Sequence, residues 1–447
     1  MMKRLGVWRH SIPQLFTRRT TRRLFSESAS IVAGHFVVVL IGLFGIRLLT
    51  ELAPMEVYGE ANLLLGALGL GLNIFVSPIT ATQSRFHSEY MQSGIADLFT
   101  REVGNCAVVA VLALTACGIA IYIIWCAIQK QSPNLPLLGL ATGWLIFTSL
   151  RNVLVGRLNA ERRQGAYARW ISVEALLTIG ATTVALLVWA RTEFYICGQL
   201  AGLALTLVIF VRLFPHATKS LTQASSVVRS ALLQRVVDYG LPFAPLSLLG
   251  WLSNLVDRYV LVVFLGAAAA GQYIAAFAIA SRAMLILGTA TNDILRPILF
   301  DAENQRQPER ARKVFNSWLA LVVLGGGVIL GVIALGGGWI SELLLAESYR
   351  SSAVEIMIWI GAGYGAFIVI QALENRVLSL GRSQHLIFPQ AIGAVGNVIF
   401  SVVLIATNGV IGAAQASAAS FGLQLLVTGI VLSRTQRVDF SQKVLTR

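Results

Sequence analysis

Long apolar segments follow one another along almost the whole chain, and they restrict its fold more than any other feature. About 20 mostly apolar residues are needed to cross a lipid bilayer as a helix. Segments of this length are predicted at 29–52, 59–82, 102–128, 135–154, 170–190, 194–214, 240–264, 271–294, 314–338, 353–373, 387–407 and 410–433. They are too long for strands and lack alternation with a period of two. The sequence therefore predicts an all-α polytopic membrane protein with about twelve transmembrane helices.

The basic residues are distributed so unevenly that they predict an orientation. The formal net charge is +14, and the chain contains 35 Lys and Arg residues. With the N-terminus in the cytoplasm, 29 of them lie in or near cytoplasmic tails and loops, whereas Lys130, Arg191 and Arg350 lie on the far side. This asymmetry follows the positive-inside rule with both termini cytoplasmic. The positive charge is therefore an orientation signal, and no nucleic-acid partner is expected.

The chain also contains an internal repeat at a spacing near 212 residues. Arg47 precedes Gly59 by 12 residues, Arg258 precedes Gly271 by 13, and weaker matches continue in the same order across six helices. Because six is even, the two halves run parallel about an axis along the membrane normal, which suits alternating access. The expected organisation is a basic tail at 1–28 resting on anionic lipid, six-helix bundles at 29–215 and 240–433, a linker at 216–239 and a tail at 434–447.

Two stretches resemble one superfamily. They are YGLPFAPLSLLGWLSNLVDRYVLVVFLGAAAAGQYIAAFAIASRA, with its Asp-Arg pair, and RLLTELAPMEVYGEANLLL near the end of the first helix. Both resemble the polysaccharide transporter, or O-antigen-type flippase, branch of the multidrug, oligosaccharidyl-lipid and polysaccharide (MOP) exporter superfamily. The resemblance implies a MATE-like fold of two bundles around a central cavity, and export of a lipid-linked saccharide across a bacterial inner membrane. Twelve helices rather than fourteen make the branch for lipid-linked peptidoglycan precursors the less favoured one.

Four polar residues share one face of the helix predicted at 240–264. Ser247, Trp251, Asn254 and Arg258 are spaced by 4, 3 and 4 residues, which places them in one stripe. A hydroxyl, an aromatic ring, an amide and a cation together suit a sugar joined to a phosphate. A Trp and a Ser at this spacing are also common in ordinary packing, so both interpretations stay open.

Arg47, Arg258 and Arg282 all lie within predicted helices. An Arg at a helix centre costs about 2.5 to 3.5 kcal/mol on insertion, so such residues normally face protein or a water-filled cavity. Arg282 shares a face with Thr289 and Asp293. Three buried cations predict an anionic substrate, and guanidinium groups pair well with the oxygens of a pyrophosphate linker.

Asp257 is the acid placed deepest in a predicted helix. It lies about 100° round the helix from Arg258, so the two side chains do not cover each other along one face. We expect Asp257 to pair with another helix and to bind a coupling proton or sodium ion. A static structural salt bridge is the equally weighted alternative. No cofactor is expected beyond the ion gradient.

Other functions find less support in the sequence. The chain has no D-x-D pair, no H-E-x-x-H run and no Gly-Lys-Ser/Thr phosphate loop, so an enzyme of glycan assembly is disfavoured and a transporter is expected. A small-molecule exporter is the stronger rival, although cationic drugs favour carboxylates and aromatic rings over arginines. The cysteines lack a C-x-x-C pair and are expected to be packing residues with no metal: Cys106, Cys117, Cys126 and Cys197. Other proteins of polysaccharide assembly are possible partners.

Overall fold

The structure is a computed structural model that describes residues 18–94, 96–129, 132–161, 163–213, 234, 235, 238 and 243–445. Across these residues it contains helices and no strands. The α-helices are α1 (Arg18–Leu52), α2 (Met55–Phe75), α3 (Ser77–Gln92), α4 (Ala96–Gln129), α5 (Leu135–Ala160), α6 (Gln164–Val188), α7 (Thr192–Leu213), α8 (Phe243–Asn304), α9 (Pro308–Leu344), α10 (Ala353–Ser379) and α11 (Ile387–Leu445). Residues 1–17 of the predicted tail and most of the predicted linker lie outside the described residues.

The predicted all-helical membrane fold is confirmed by the lengths and composition of these helices. Within the described part of the chain, nine helices are long and apolar enough to cross a membrane, namely all except α1 and α3. Many of their large apolar side chains are exposed, among them Val263, Leu324 and Leu335, as expected where the surrounding solvent is lipid. The count of twelve spans and the cytoplasmic termini stay predictions.

Two of the helices bend back on themselves at a glycine. In α8 the bend is at Gly266, with φ 84°, and in α11 it is at Gly409, with φ 61°. This left-handed region favours glycine because it has no Cβ. Across the bend in α8, Tyr273 contacts Asp257 although they are 16 positions apart, which would be about 24 Å in a straight helix. Each helix is therefore an antiparallel hairpin of two arms.

The two hairpins correct the sequence-based boundaries. The sequence predicted helices at 240–264 and 271–294, and again at 387–407 and 410–433, and the two arms of each hairpin correspond to these pairs, joined at Gly266 and Gly409 without a separate loop. A loop is unnecessary because a single glycine reverses the chain. A further break lies inside the segment predicted at 59–82, since α2 ends at Phe75 and α3 begins at Ser77.

Close packing joins the helices within each half of the chain. In the first half, Gly198 and Gly202 of α7 lie against the backbone of Thr182 and Thr178 of α6. This spacing of small residues lets two membrane helices approach closely. The two halves meet where α1 and α2 contact α8, and where α1 contacts α9.

Candidate functional site

Asp257 lies in the first arm of α8 and is fully buried, with 0% exposure. Its Oδ2 accepts hydrogen bonds from the hydroxyl of Tyr273, in the second arm, and from the hydroxyl of Ser417 at 2.9 Å, in α11. Its Oδ1 accepts the backbone N–H of Arg258 at 2.9 Å. The carboxylate therefore joins three helical arms, and the expected pairing with another helix is present. None of the described side chains forms a salt bridge with it.

Arg258, the next residue, has its guanidinium over the ring of Phe277, with its Cζ 4.4 Å from the ring centroid. Its Nε is buried and has no hydrogen-bond partner. A guanidinium over an aromatic face is stabilised by the ring quadrupole, but this contact leaves its hydrogen-bond donors free. The two adjacent charges thus contact different groups, as their separation round the helix predicts.

The predicted stripe on α8 contacts several neighbours rather than one cavity. The Trp251 indole N–H donates to the Gly66 carbonyl at 3.2 Å, and its ring lies 4.9 Å from that of Tyr259. Asn254 donates to the Gly250 carbonyl at 2.7 Å and accepts from the Tyr364 hydroxyl at 3.3 Å. Ser247 is half-buried on the same arm. These contacts favour the packing interpretation for Trp251, and substrate binding by the stripe stays a prediction.

Arg47 is bonded within the protein. One guanidinium nitrogen donates to the carbonyl of Leu345 just after the end of α9, and another lies 2.9 Å from Glu51. A cation at the C-terminal end of a helix interacts favourably with the carbonyls that have no helical partner there. Arg47 therefore caps a helix of the other half of the chain. Its contacts favour a structural role over the predicted substrate contact, which remains untested.

Arg282 lies in the second arm of α8, beside α1. It lines a cavity of about 170 Å³ with apolar residues that include Val39, Leu285 and Ile286. Its Nη1 is buried and has no hydrogen-bond partner. Thr289 and Asp293 line the same cavity, so the predicted face from Arg282 through Thr289 to Asp293 is present. The cavity combines apolar walls with an unsatisfied cationic donor.

The two arginines that have an unsatisfied nitrogen, Arg258 and Arg282, have one buried neighbour in common. The hydroxyl of Tyr58, which is 4% exposed, lies within electrostatic reach of both Arg258 and Arg282. Arg258 and Arg282 therefore contribute to one positive region around the contact between α2 and α8.

The sequence-based reasoning missed a second carboxylate in the C-terminal half. Glu374 in α10 accepts a hydrogen bond from Gln390 in α11 at 3.3 Å. The segment predicted at 353–373 ends one residue before it, whereas α10 continues to Ser379. The signal was available, since the apolar pattern resumes at Val377 and Leu378.

Metal ligands are not gathered in the part of the chain that the structure describes. No group of three His, Cys, Asp or Glu residues there could hold a metal ion. Cys126 is buried, Cys106 is half-buried, and Cys117 and Cys197 are exposed.

No protein-family model matches the sequence, and neither does any curated protein. Solved structures do match. An inward-facing multidrug resistance MATE family transporter of the MOP superfamily has a TM-score of 0.69 at 12% identity, over 92% of this chain and 99% of that one. The lipid II flippase MurJ, in an inward closed conformation, has a TM-score of 0.67 at 13% identity, over 90% of this chain and 86% of that one.

A third similar structure is a MOP superfamily transporter from Pyrococcus furiosus, described as having a binding pocket of reversed polarity. It has a TM-score of 0.65 at 13% identity, over 94% of this chain and 96% of that one. The chain therefore has the fold of the MOP superfamily transporters.

Proposed function

We propose that this protein is a flippase that moves a polyprenyl-pyrophosphate-linked oligosaccharide across a bacterial inner membrane by alternating access. The fold supports a transporter, and the two stretches around Arg47 and Arg258 support the polysaccharide branch of the superfamily. The cargo would be an O-antigen, exopolysaccharide or capsule unit, and proteins that polymerise or ligate these units would receive it. The protein itself carries no catalytic step in this proposal.

The observation that carries this proposal is the buried Nη1 of Arg282, which has no hydrogen-bond partner and lies beside a mainly apolar cavity. A buried charged donor without a partner is costly, because it has lost its hydration without gaining a hydrogen bond. A phosphate oxygen would supply that bond with opposite charge. The apolar walls suit a polyprenyl chain next to the phosphate.

The size of the cavity indicates which part of the cargo it holds. At about 170 Å³ it is smaller than the roughly 300 to 1,000 Å³ of pockets that hold drug-sized ligands. It therefore suits a phosphate group and the adjoining lipid rather than the whole saccharide. Asp293 lies in the same lining but 11 residues further along α8, which is about 16 Å of helix.

Asp257 supplies the proposed coupling site. A fully buried carboxylate without a cationic side chain in contact is stabilised when it takes up a proton or a sodium ion. Its ligands come from both arms of α8 and from α11, so a change at the carboxylate reaches three helical arms at once. Asp257→Asn is expected to remove the dependence of transport on the ion gradient.

The test is binding of a polyprenyl pyrophosphate saccharide to the purified protein in lipid nanodiscs. Arg282→Ala is expected to bind it about 10- to 150-fold more weakly, the value of one charge-assisted hydrogen bond. Polyprenol without phosphate should bind both proteins equally. The matched control is Arg169→Ala, because Arg169 is exposed on α6 and should not contact the ligand. Wild-type affinity of Arg282→Ala, or an equal loss in the control, would refute the proposal.

A small-molecule exporter is the second candidate, and one cluster of rings favours it. Phe277, Tyr364, Phe367 and Phe421 lie with ring centroids 5.1 to 5.7 Å apart, beside the arm that carries Asp257. Aromatic faces and a carboxylate suit an organic cation. Tight binding of tetraphenylphosphonium that is lost in Asp257→Asn would support this candidate. A small-molecule exporter also predicts that Arg282→Ala binds tetraphenylphosphonium as tightly as the wild type does.

A further inference from the structure

The two halves of the chain are held together at one end of the molecule, where α1 ends and α2 begins. The Tyr349 hydroxyl donates to the Ala53 carbonyl at 2.7 Å, and the Ala346 N–H donates to the Thr50 hydroxyl at 3.2 Å. Thr50 and Ala53 belong to the first half, and the other two residues follow α9 in the second. We call these residues, together with Gly59 and Gly271, the interbundle contact.

Gly59 and Gly271 bring two backbones into direct contact. A Cβ added to Gly59 would overlap the carbonyl oxygen of Ala267, and one added to Gly271 would overlap the carbonyl oxygen of Met55. These two glycines occupy corresponding places in the internal repeat. The start of α2 and the start of the second arm of α8, which correspond in the repeat, therefore pack against each other. At Gly59 and Gly271 there is space for the hydrogen of a glycine but not for a Cβ.

The same turn of α8 also contacts the buried carboxylate. Gly271 packs against the first half of the chain, whereas Tyr273, two residues later, donates its hydroxyl to Asp257. Tyr273 is itself 0% exposed. One helical turn thus contacts the other half on one side and holds the hydrogen bond to the acid on the other.

We propose that the turn from Gly271 to Tyr273 couples the occupancy of Asp257 to the interbundle contact. While Asp257 is ionised, its charge holds the Tyr273 hydroxyl and keeps the second arm of α8 against α2. When a cation or proton neutralises Asp257, this hydrogen bond weakens, the turn loosens, and the two halves separate at this end. Tyr273 is a positioning residue in this scheme.

This inference rests on the proposed function only in taking Asp257 as the coupling site. The groups facing Asp257 are Tyr273 from the second arm, Ser417 from α11 and the backbone of Arg258. The Arg258 guanidinium on the same arm and Tyr364 of α10 lie within electrostatic range, and among the residues described no charged side chain forms a salt bridge with Asp257. The protonation or cation occupancy of this one carboxylate is therefore the variable that the turn senses.

Hydrogen–deuterium exchange of the purified protein in nanodiscs tests the inference without substrate or gradient. Asp257→Asn and Tyr273→Phe should each raise the rate of exchange of segments 46–58 and 345–353 by roughly 10-fold, since each weakens a hydrogen bond to a charged acceptor. The double variant should show no further increase. Because cargo binding is not measured, the result is independent of the Arg282 test.

Two reference variants open the contact directly. Gly271→Ala introduces the overlap with Met55, and Tyr349→Phe removes the bond to Ala53 without a steric clash. Both should raise exchange in the same two segments. Unchanged exchange in both references would show that this contact does not hold the halves together, and the proposal would be wrong.

The matched control is Tyr364→Phe. It makes the same chemical change as Tyr273→Phe in the same aromatic cluster, but its hydroxyl contacts Asn254 instead of Asp257. It should exchange like the wild type. The proposal is overturned if this control raises exchange as much as Tyr273→Phe does. It is also overturned if the two reference variants raise exchange while Asp257→Asn and Tyr273→Phe do not.

Discussion

The charges on α5 and α6 in the first half of the chain form a satisfied ion pair, whereas the adjacent charges on α8 in the second half do not, although another pair in that half, Arg376 with Glu303, does. In the first half, Glu174 of α6 accepts hydrogen bonds from Arg151 of α5 at 2.8 Å and from the Trp170 indole at 2.7 Å. In the second half, Asp257 has only hydroxyl and backbone donors, and Arg258 contacts a ring. The side chains of Arg151 and Glu174 are 24% and 19% exposed, whereas Asp257 is fully buried, so the two sites differ in burial as well as in pairing.

The difference indicates which charges are structural. A buried ion pair whose partners satisfy each other has no free donor or acceptor for a ligand. A buried carboxylate and a buried guanidinium that do not satisfy each other are costly in one conformation, and they persist where a ligand or an ion completes them. The region of α8 that holds Asp257, Arg258 and Arg282 is therefore where the proposed function places cargo and ion.

The largest effect that would sharpen this comparison is on stability. Glu174→Ala leaves Arg151 without its carboxylate partner, so the free energy of unfolding should fall by about 3 kcal/mol. Asp257→Asn weakens hydrogen bonds to a charged acceptor but also removes a buried charge that has no salt bridge, and because these effects oppose each other the net change should be less than about 1 kcal/mol. Thermal unfolding in detergent measures both. Equal losses would show that the two carboxylates have the same role.

The next effect is on binding of the lipid pyrophosphate. Lysine keeps the charge of arginine but loses the planar fork that matches phosphate. Arg258→Lys and Arg282→Lys should therefore each weaken binding by about 10-fold, and alanine should weaken it further. Arg151→Lys should leave the affinity unchanged, because Glu174 already binds that side chain. A loss in Arg151→Lys as large as in the other two would remove the distinction between the paired and the unpaired arginines.

The sequence predicted those parts of the molecule that depend on local pattern. The length of the apolar segments predicted helices that can cross a membrane, and helical spacing predicted the face from Arg282 to Asp293. The reversal between the two arms of α8 was predicted, since the segments at 240–264 and 271–294 are consecutive spans, but the sequence-based boundaries placed a loop where a single glycine, Gly266, makes the turn. Four alanines follow that glycine, and alanine is the strongest helix former, so the helix resumes at once.

The contact partners of the charged residues could not be predicted from the sequence. Tyr273 and Ser417 bind Asp257 from 16 and 160 positions away, and no spacing rule relates residues on different helices. The insertion cost of a buried arginine requires a protected environment but does not name the partner. This is why Arg47 and Arg258, equivalent in the repeat, were expected to act together and yet have different contacts.

The smallest predicted effect concerns Arg47, which belongs to the first half but bonds to the second. Its guanidinium is satisfied by the Leu345 carbonyl and by Glu51, so Arg47→Ala should leave binding of the lipid pyrophosphate within about 2-fold of the wild type. It should instead increase exchange at the end of α9 by roughly 2- to 12-fold, the value of one ordinary hydrogen bond. Glu51→Gln is the control, because it removes the exposed ion pair and keeps the bond to Leu345, and it should change neither measurement. A binding loss of about 10-fold or more in Arg47→Ala would place this arginine with Arg258 and Arg282, and the bonding of a charge within the protein would no longer distinguish structural charges from those that bind a ligand.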